Sequence, residues 1–457
     1  MTADVAIVGG GASGVLAALH LLRASTRPLR VVLIEKGERL GAGVAYGTLR
    51  PEHLLNLTAP VMSAFADDPL HFVRYLREHS ATDVPPDAFD GTFEKRRRFG
   101  TYLRATLAEA RKSSPATLDV VHAEVVDLRE SDGFTLRLRS GVEIGARVVI
   151  LALGNWSRDL PLVGDTQALE AAVLSGWDHP AVARIPTNES VVIAGSGLSM
   201  VDTVLTLLAN EHQGPIHVVS RHALMPLSHA TRGTTNLDVA ALLALPLRER
   251  IELVRAHARQ TEERGEPWQW VMERLRPLVS ELWRTLSLPE QRRFLRHMAR
   301  YWDVHRHRLP REVAVAVGTL FESGRIAQHS GRVTSIAAHG NRVKVSLGGT
   351  KTHGEPIIAD YIVNCIGMQT NMLRIPDALV RDLLGSGFAG PGPHGIGFGT
   401  DSTGAVLDSQ RRPQPRLFTL GSVRVGQLWE SVAVPELRSQ ADQIARHICT
   451  HLAVESR

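Results

Sequence analysis

The sequence predicts an α/β fold with two Rossmann-like dinucleotide-binding domains, and three observations carry that expectation. A glycine-rich turn occurs twice, at Gly9, Gly11 and Gly14 in VAIVGGGASGVLAALHLL and at Gly195 and Gly197 in VVIAGSGLSMVDTVLTLL. Each copy lies between an apolar run that reads as a buried strand and an amphipathic helical pattern. Each unit also closes on a later apolar strand that ends in glycine, Gly154 in the first and Gly367 in the second. In that setting the glycines permit a tight turn and close backbone approach, and the helix N-terminus is placed to receive a pyrophosphate.

Length and composition bound the rest. A chain of 457 residues predicts two or three domains, at roughly 100 to 200 residues each. Asp4 stands where a secretory leader would carry basic residues, and no uncharged apolar run reaches the ~18 residues of a membrane span. Cys365 and Cys449 are far apart and form no C-x-x-C, which argues against a redox dithiol, a zinc site or a disulfide scaffold. The expected setting is the cytoplasm. The net charge of +5 is modest. Basic residues cluster at 95–98 and at 292–311, in RRFLRHMARYWDVHRHRLPR; this reads as a solvated helix face plus a loop, or as a pocket for an anionic substrate or cofactor phosphates. No nucleic-acid module accompanies the charge.

The elements follow in order. Strand 5–8 runs through the first turn and a helix to strand 31–34, which ends at Glu35; alternating segments over 120–149 read as a small antiparallel crossover, and strand 148–152 leads into Gly154. The second unit repeats this with strand 191–194, a helix, strand 216–219 ending at Ser220 and Arg221, further alternating segments, and strand 361–366. It is longer because 236–311 supply a helical insertion, a lid or an interface, in which Ser287 and Pro289 mark a helix start. GSGFAGPGPHGIGFG reads as an irregular surface segment. A strand, a glycine turn and a helix from about Pro435 complete the chain. The predicted domains are 1–185 with 371–457, for the first dinucleotide, and 186–370, for the second.

Three groups carry chemistry. Glu35, at the end of the second strand, is placed to accept hydrogen bonds from ribose hydroxyls, as in FAD or NAD; its alternative is a surface carboxylate at a strand end. The second turn has Met200 where the third glycine would stand, and its partner strand ends in Ser220, Arg221 and His222 with no acid. A guanidinium and a hydroxyl there accommodate a 2′-phosphate, which favours NADPH over NADH unless Arg221 is an ordinary surface arginine. His305, Arg306, His307 and Arg308 form the densest titratable group. In an extended loop the two histidines would point the same way, making an anion site or simply a solvated loop. No carboxylate or cysteine completes a metal set.

The chain resembles the bacterial FAD/NAD(P)-binding flavoproteins, related to the class B flavin monooxygenases and N-hydroxylases and more distantly to the disulfide reductases. The resemblance rests on VAIVGGGASG, GAGVAYGT, HLLNLTAPVMSAFADDPLHF, LALGNW, AGSGLSMVD, VSRHALMP, YWDVHRHRLP, NCIGMQTN and GQLWESVAVPELRSQ, and spans nearly the whole length. It implies that Gly9, Gly11, Ser13, Gly14, Glu35 and Lys36 hold the ADP part of FAD. Gly154, Gly421, Trp429 and Val434 would complete the FAD site, with Asn56 near the reactive edge of the flavin. Ser422 departs from the Gly-Asp pair that touches the ribityl chain in the broader pattern. Gly195, Gly197, Ser220 and Arg221 would hold NADPH, or NADH.

The implied cycle runs through a C4a-hydroperoxyflavin formed with molecular oxygen to hydroxylation of a small polar or anionic substrate. A purine such as urate is one such substrate, near His305, Arg306 and His307. The rivals are a flavin reductase or dehydrogenase without oxygen transfer and a non-catalytic redox sensor. Neither nucleic acid nor membrane is an expected partner.

Overall fold

The computed structural model describes residues 2–80, 89, 91–349 and 355–455. The strands of the first unit are β1 (Thr2–Val8), β2 (Arg30–Glu35), β3 (Thr117–His122), β4 (Val125–Ser131), β5 (Gly133–Leu138) and β6 (Glu143–Leu151). They are followed by β7 (Val173–Ser175), β8 (Val191–Ala194), β9 (Ile216–Ser220), β10 (Ile326–Ser330), β11 (Arg332–His339), β12 (Arg342–Gly348), β13 (Ile357–Ala359) and β14 (Tyr361–Asn364). β15 (Ala405–Leu407) and β16 (Pro413–Thr419) lie near the C-terminus.

The first sheet has the order β15-β16-β6-β1-β2-β3, with the β4–β5 hairpin attached beside β6. Its centre is parallel, with Val5 opposite Val31 and Val148. Strands buried on both faces need apolar residues at successive positions, and β1 and β2 supply them. Val5, Ile7, Val31 and Leu33 face the Ala12–Ala24 helix and the Val434–Glu455 helix; Ala6, Val8, Val32 and Ile34 face a second cluster containing Leu136, Leu379 and Phe398. Each fully buried side chain of this size stabilises the fold by about 1.5–3 kcal/mol.

The second sheet, β10-β9-β8-β14-β7, is parallel throughout. β11, β12 and β13 form a separate antiparallel sheet. The alternating segments thus divide differently from the expectation: in each unit the first of them, β3 or β10, is a parallel edge strand, and only the remainder is antiparallel.

The domain boundary expected at 185 falls earlier. β7 pairs with β14, and the His179–Ala183 helix buries Val182 in the second core. Leu160 and Leu169 join a cluster with Val192 and Ile336, so the crossing into the second unit begins just after Trp156. Past 370, Met372, Leu379 and Val380 pack on the first sheet.

The insertion between β9 and β10 is helical, with Val239–Leu243, Leu247–Glu263, Gln269–Leu275, Val279–Arg284, Leu288–His297 and Ala299–Arg306. Ser287 caps the fifth of these in a capping box with Glu290, whose Oε1 also accepts from Leu247 N at 2.8 Å. The glycine-rich 385–399 segment is irregular but not superficial. Ala389 and Phe398 are buried, and Gly397 and Gly426 permit backbone contact between this segment and residues 421–428, since a Cβ at either would collide with a carbonyl oxygen across the contact.

Candidate functional site

The two glycine turns have the same local construction. Gly9 N donates to Ile34 O at 2.8 Å and Ala152 N to Val8 O at 2.8 Å; in the second unit Gly195 N donates to Val219 O at 2.8 Å and Cys365 N to Ala194 O at 2.7 Å. Gly9 has φ 101° and Gly195 φ 108°, and a Cβ on either would strike the carbonyl oxygen of Ala152 or Cys365. Glycine is therefore required by both backbone conformation and space.

The third position separates the two turns. A Cβ on Gly14 would collide with Gly9 O, so the first helix lies directly against its turn. Met200 instead fills the space between helix and sheet, fully buried among Val191, Ile193, Val204 and Val218.

At the first turn the Glu35 carboxylate accepts from Gly10 N and, at 2.7 Å, from Gly37 N. The first contact holds the carboxylate against the glycine turn, and the second ties it to the chain just beyond β2. Gly11 is the N-cap of the Ala12–Ala24 helix and offers no side chain to it, leaving the terminal N–H groups for an anion. Lys36 follows on the exposed side. Ser13 Oγ lies opposite Gly421, which has φ 83° and is held by Gln440 at 3.0 Å. Ser422, the departure from Gly-Asp, donates its hydroxyl to Gly154 O and so ties the ends of β6 and β16 together.

At the second turn Ser220 ends β9 and Arg221 is exposed, close enough to Arg158 and Arg300 to disfavour their charged forms. Burial lowers the pKa of Arg158 first, and Arg221, Arg374 and Arg332 add to the effect. Of these arginines, Arg221 alone directly follows a strand paired with the second turn's own strand. The other arginines come from distant segments, and no local pattern announces them.

The 305–308 group is not an extended loop. His305 and Arg306 end the Ala299–Arg306 helix, and the backbone turns at His307. His305 bonds Tyr301 O within its own helix at 2.8 Å and packs edge-on against Trp268. His307 is driven down to about 3 by burial and by Arg306, Arg276, Arg300 and Arg308, so it is neutral at physiological pH. Arg308 is buried and pairs with Glu273. The helical period sends these side chains in different directions, and the expected common anion face is absent.

Arg306 reaches Glu430, just after Trp429, at 2.8 Å. Around this pair the insertion meets the start of the C-terminal helix. Trp302 Nε1 donates to Glu430 Oε1 at 3.0 Å, Arg276 lies 3.6 Å from Glu436, and Trp283 stacks on Trp429 at 5.2 Å with Phe294 edge-on at 5.1 Å. Trp429 has φ 61°, a strained conformation for a bulky residue. Among the described residues, Arg276 Nη2, Arg438 Nε, Trp429 Nε1, Ser431 Oγ and Glu436 Oε2 are buried without a hydrogen-bond partner. Water or another molecule's polar atoms would satisfy such a group of atoms. Val434 begins the Val434–Glu455 helix and is fully buried beside it.

Asn56 lies at the edge of the same region. Its carbonyl oxygen is 3.0 Å from His229 Nε2, and His229 is pushed down to about 4 by burial and by Arg308. The first domain is clasped to the second nearby: Arg96 pairs with Asp202 at 2.6 Å, and His53 Nε2 lies 2.9 Å from Thr206 Oγ1.

Residues 6–156 match the family model described as FAD-NAD(P)-binding. The N-terminal third is an FAD-NAD(P)-binding segment. It contains the first turn, Glu35 and Gly154. No curated protein gives a significant sequence match to the chain.

Among solved structures, the ornithine N-hydroxylase of Kutzneria sp. 744, determined with reduced FAD, NADP+ and L-ornithine, superimposes with a TM-score of 0.67 at 15% identity. The alignment covers 99% of this chain and 100% of that one. L-lysine 6-monooxygenase from Pseudomonas syringae gives 0.64 at 15% identity over 98% and 99%. Bacillithiol disulfide reductase from Staphylococcus aureus gives 0.56 at 13% identity over 100% of both chains. These likenesses establish the fold, that of flavoenzymes with two dinucleotide domains.

The FAD-NAD(P)-binding segment fits FAD on its own geometry. Its glycines form a cradle that a Cβ would fill, and the Glu35 carboxylate is held beside it by Gly10 N. Among the described residues no helix is long and apolar enough to cross a membrane.

Proposed function

We propose that this protein is an FAD-dependent NADPH monooxygenase that hydroxylates a small charged molecule. The observation that carries the reading is the repeated turn geometry on parallel strands of two sheets, one copy with Glu35 and the other with Arg221 and Arg300 beside it. In this reading Gly9, Gly11, Ser13, Gly14, Glu35, Lys36, Gly154 and Gly421 hold FAD, whereas Gly197, Ser220 and Arg221 hold NADPH. Bound FAD would supply the two-electron and oxygen chemistry.

The chain's own residues do the rest. The Trp283, Phe294, Trp302 and Trp429 cluster excludes water where the insertion covers the C-terminal segment. Arg276 and Arg438 each retain a buried donor without an acceptor, and Glu436 retains an acceptor without a donor. A substrate with an anionic oxygen and an N–H or ammonium group matches both. Amino acids meet that requirement, and ornithine and lysine are named for two of the structural neighbours. An anionic purine such as urate also meets it, through its oxygen atoms and ring N–H groups. Asp303, raised to about 6 mainly by burial and further by Glu430, stands nearby as a proton acceptor near neutral pH.

The test is to screen basic amino acids, diamines and purines for NADPH oxidation together with detection of a hydroxylated product. Product formed in proportion to NADPH consumed supports the proposal. Flavin reduction by NADPH with no oxygenated product from any of these classes would favour the reductase reading.

A further inference from the structure

The helical insertion reaches the second glycine turn through Arg300. Its Nη2 donates to Ser196 O and Ser196 Oγ, each at 3.0 Å, and to Leu224 O at 3.1 Å. The two N–H groups of Nη2 are shared among these three acceptors and hold the guanidinium against the turn. Nη1 lies 4.0 Å from where a Cβ on Gly197 would be, and Gly197 is the N-cap of the Leu198–Ala209 helix. The second turn therefore presents backbone N–H groups from one side and an oriented guanidinium edge from the other.

The surroundings point to a ligand of opposite charge. Arg300 is close to Arg221, which in turn is close to Arg158, and Asp303 is the acidic group acting on Arg300. Burial alone disfavours the charged form of Arg300, and Arg221 opposes it further, while Asp303 offsets part of that cost. An arginine kept charged in such company is stabilised by an anion.

Resting on the monooxygenase reading, we infer that Arg300 is a pyrophosphate ligand of the nicotinamide dinucleotide, contributed by the insertion and not by the dinucleotide fold itself. Arg221 and Arg300 then divide the recognition. Arg221 reads the 2′-phosphate that distinguishes NADPH from NADH, whereas Arg300 reads the diphosphate common to both. The inference also gives the insertion a definite task. The two-turn helix that carries Arg300 at one end carries Trp302 and Arg306, the partners of Glu430, along the rest of its length. Six residues of helix span about 9 Å, so the dinucleotide and the Glu430 region are in contact with one short rigid element.

The experiment is a set of binding titrations on the FAD-loaded protein with NADPH, NADH and 2′-AMP, using wild type, Arg300→Gln, Arg300→Lys and Arg221→Ala. Loss of a charge-assisted hydrogen bond predicts that Arg300→Gln weakens NADPH and NADH alike, by roughly tenfold or more. 2′-AMP has no diphosphate, so its binding by Arg300→Gln should match wild type, which also verifies that the turn is intact. Arg300→Lys should recover part of the lost affinity because it retains the charge. Unchanged NADPH and NADH binding by Arg300→Gln would overturn the inference. So would an equal loss of 2′-AMP binding with no rescue by lysine, which would mean that Arg300 only braces the turn. Failure of wild type to bind NADPH and NADH would instead contradict the underlying functional reading.

Discussion

Arg306 and Glu430 form a buried ion pair, Nη2 to Oε2 at 2.8 Å, between the last turn of the insertion and the segment leading to the C-terminal helix. Their relative exposures are 5% and 8%, so solvent does little to screen either charge. Removing one partner strands the other, at a cost of about 3–5 kcal/mol. Arg306→Met and Glu430→Gln should each show a loss of that size in urea denaturation, and the double variant should cost less than the sum. Additive losses would mean that the pair is not coupled.

The first turn predicts a contrast between two glycines. Gly14→Ala places a Cβ against Gly9 O inside the packed turn, whereas Gly154 has φ 74° and nothing within 4 Å of its Cβ position. The first substitution should abolish flavin retention. The second should cost about 1–2 kcal/mol of backbone strain and lower flavin retention only part of the way, because its Cβ meets no neighbouring atom. Absorbance of the two purified variants checks the difference.

Glu35 tests the ribose contact by itself. Its carboxylate accepts from Gly10 N and Gly37 N, so Glu35→Ala removes both the predicted ribose acceptor and the brace of the loop. Flavin content should fall on purification. Flavin content equal to wild type would remove Glu35 from the site.

Arg221→Ala should raise the Kd for NADPH by tenfold or more while changing that for NADH little, on the scale of one charged hydrogen bond. Equal loss for both coenzymes would exclude the 2′-phosphate role.

Acid should destabilise the clasp between the domains. His179 is lowered from 6.5 to about 4 by burial and by the adjacent ring of His53, 4.3 Å away, and burial lowers His53 as well. Between pH 6.5 and 4 the unfolded chain binds a proton at residue 179 that the folded chain does not, so stability falls as pH falls through that window, and His53 acts in the same direction. Asp303 acts in the opposite sense, because its folded pKa of about 6 lies above 3.8. His179→Gln should therefore flatten the pH dependence of Tm below 6.5, and an unchanged slope would contradict the assignment.

Much of the fold was legible because its strongest signals are local. The turns at Gly9 and Gly195 require glycine for φ and for space, and the runs around Val5 and Val191 are apolar because both faces of their strands are covered. The boundary was misplaced because β7 is three residues long and is held by its pairing with β14, far away in the chain. The charged region was read only in part. His305 and His307 looked equivalent by spacing, yet a helix end separates them, and what matters at Arg306 is its contact with Glu430. Arg276, Arg300 and Arg438 approach the sites through tertiary packing, which leaves no mark in a local pattern.

In the proposed reading the first turn holds FAD, and a dinucleotide at the second turn reduces it before oxygen reacts. Anaerobic mixing of the flavin-loaded protein with NADPH, followed by exposure to oxygen with substrate present, tests it most directly. NADPH should bleach the flavin saturably and, after oxygen, hydroxylated product should form as the flavin reoxidises. A flavin that NADPH and NADH both fail to reduce, in protein that retains FAD, would contradict it.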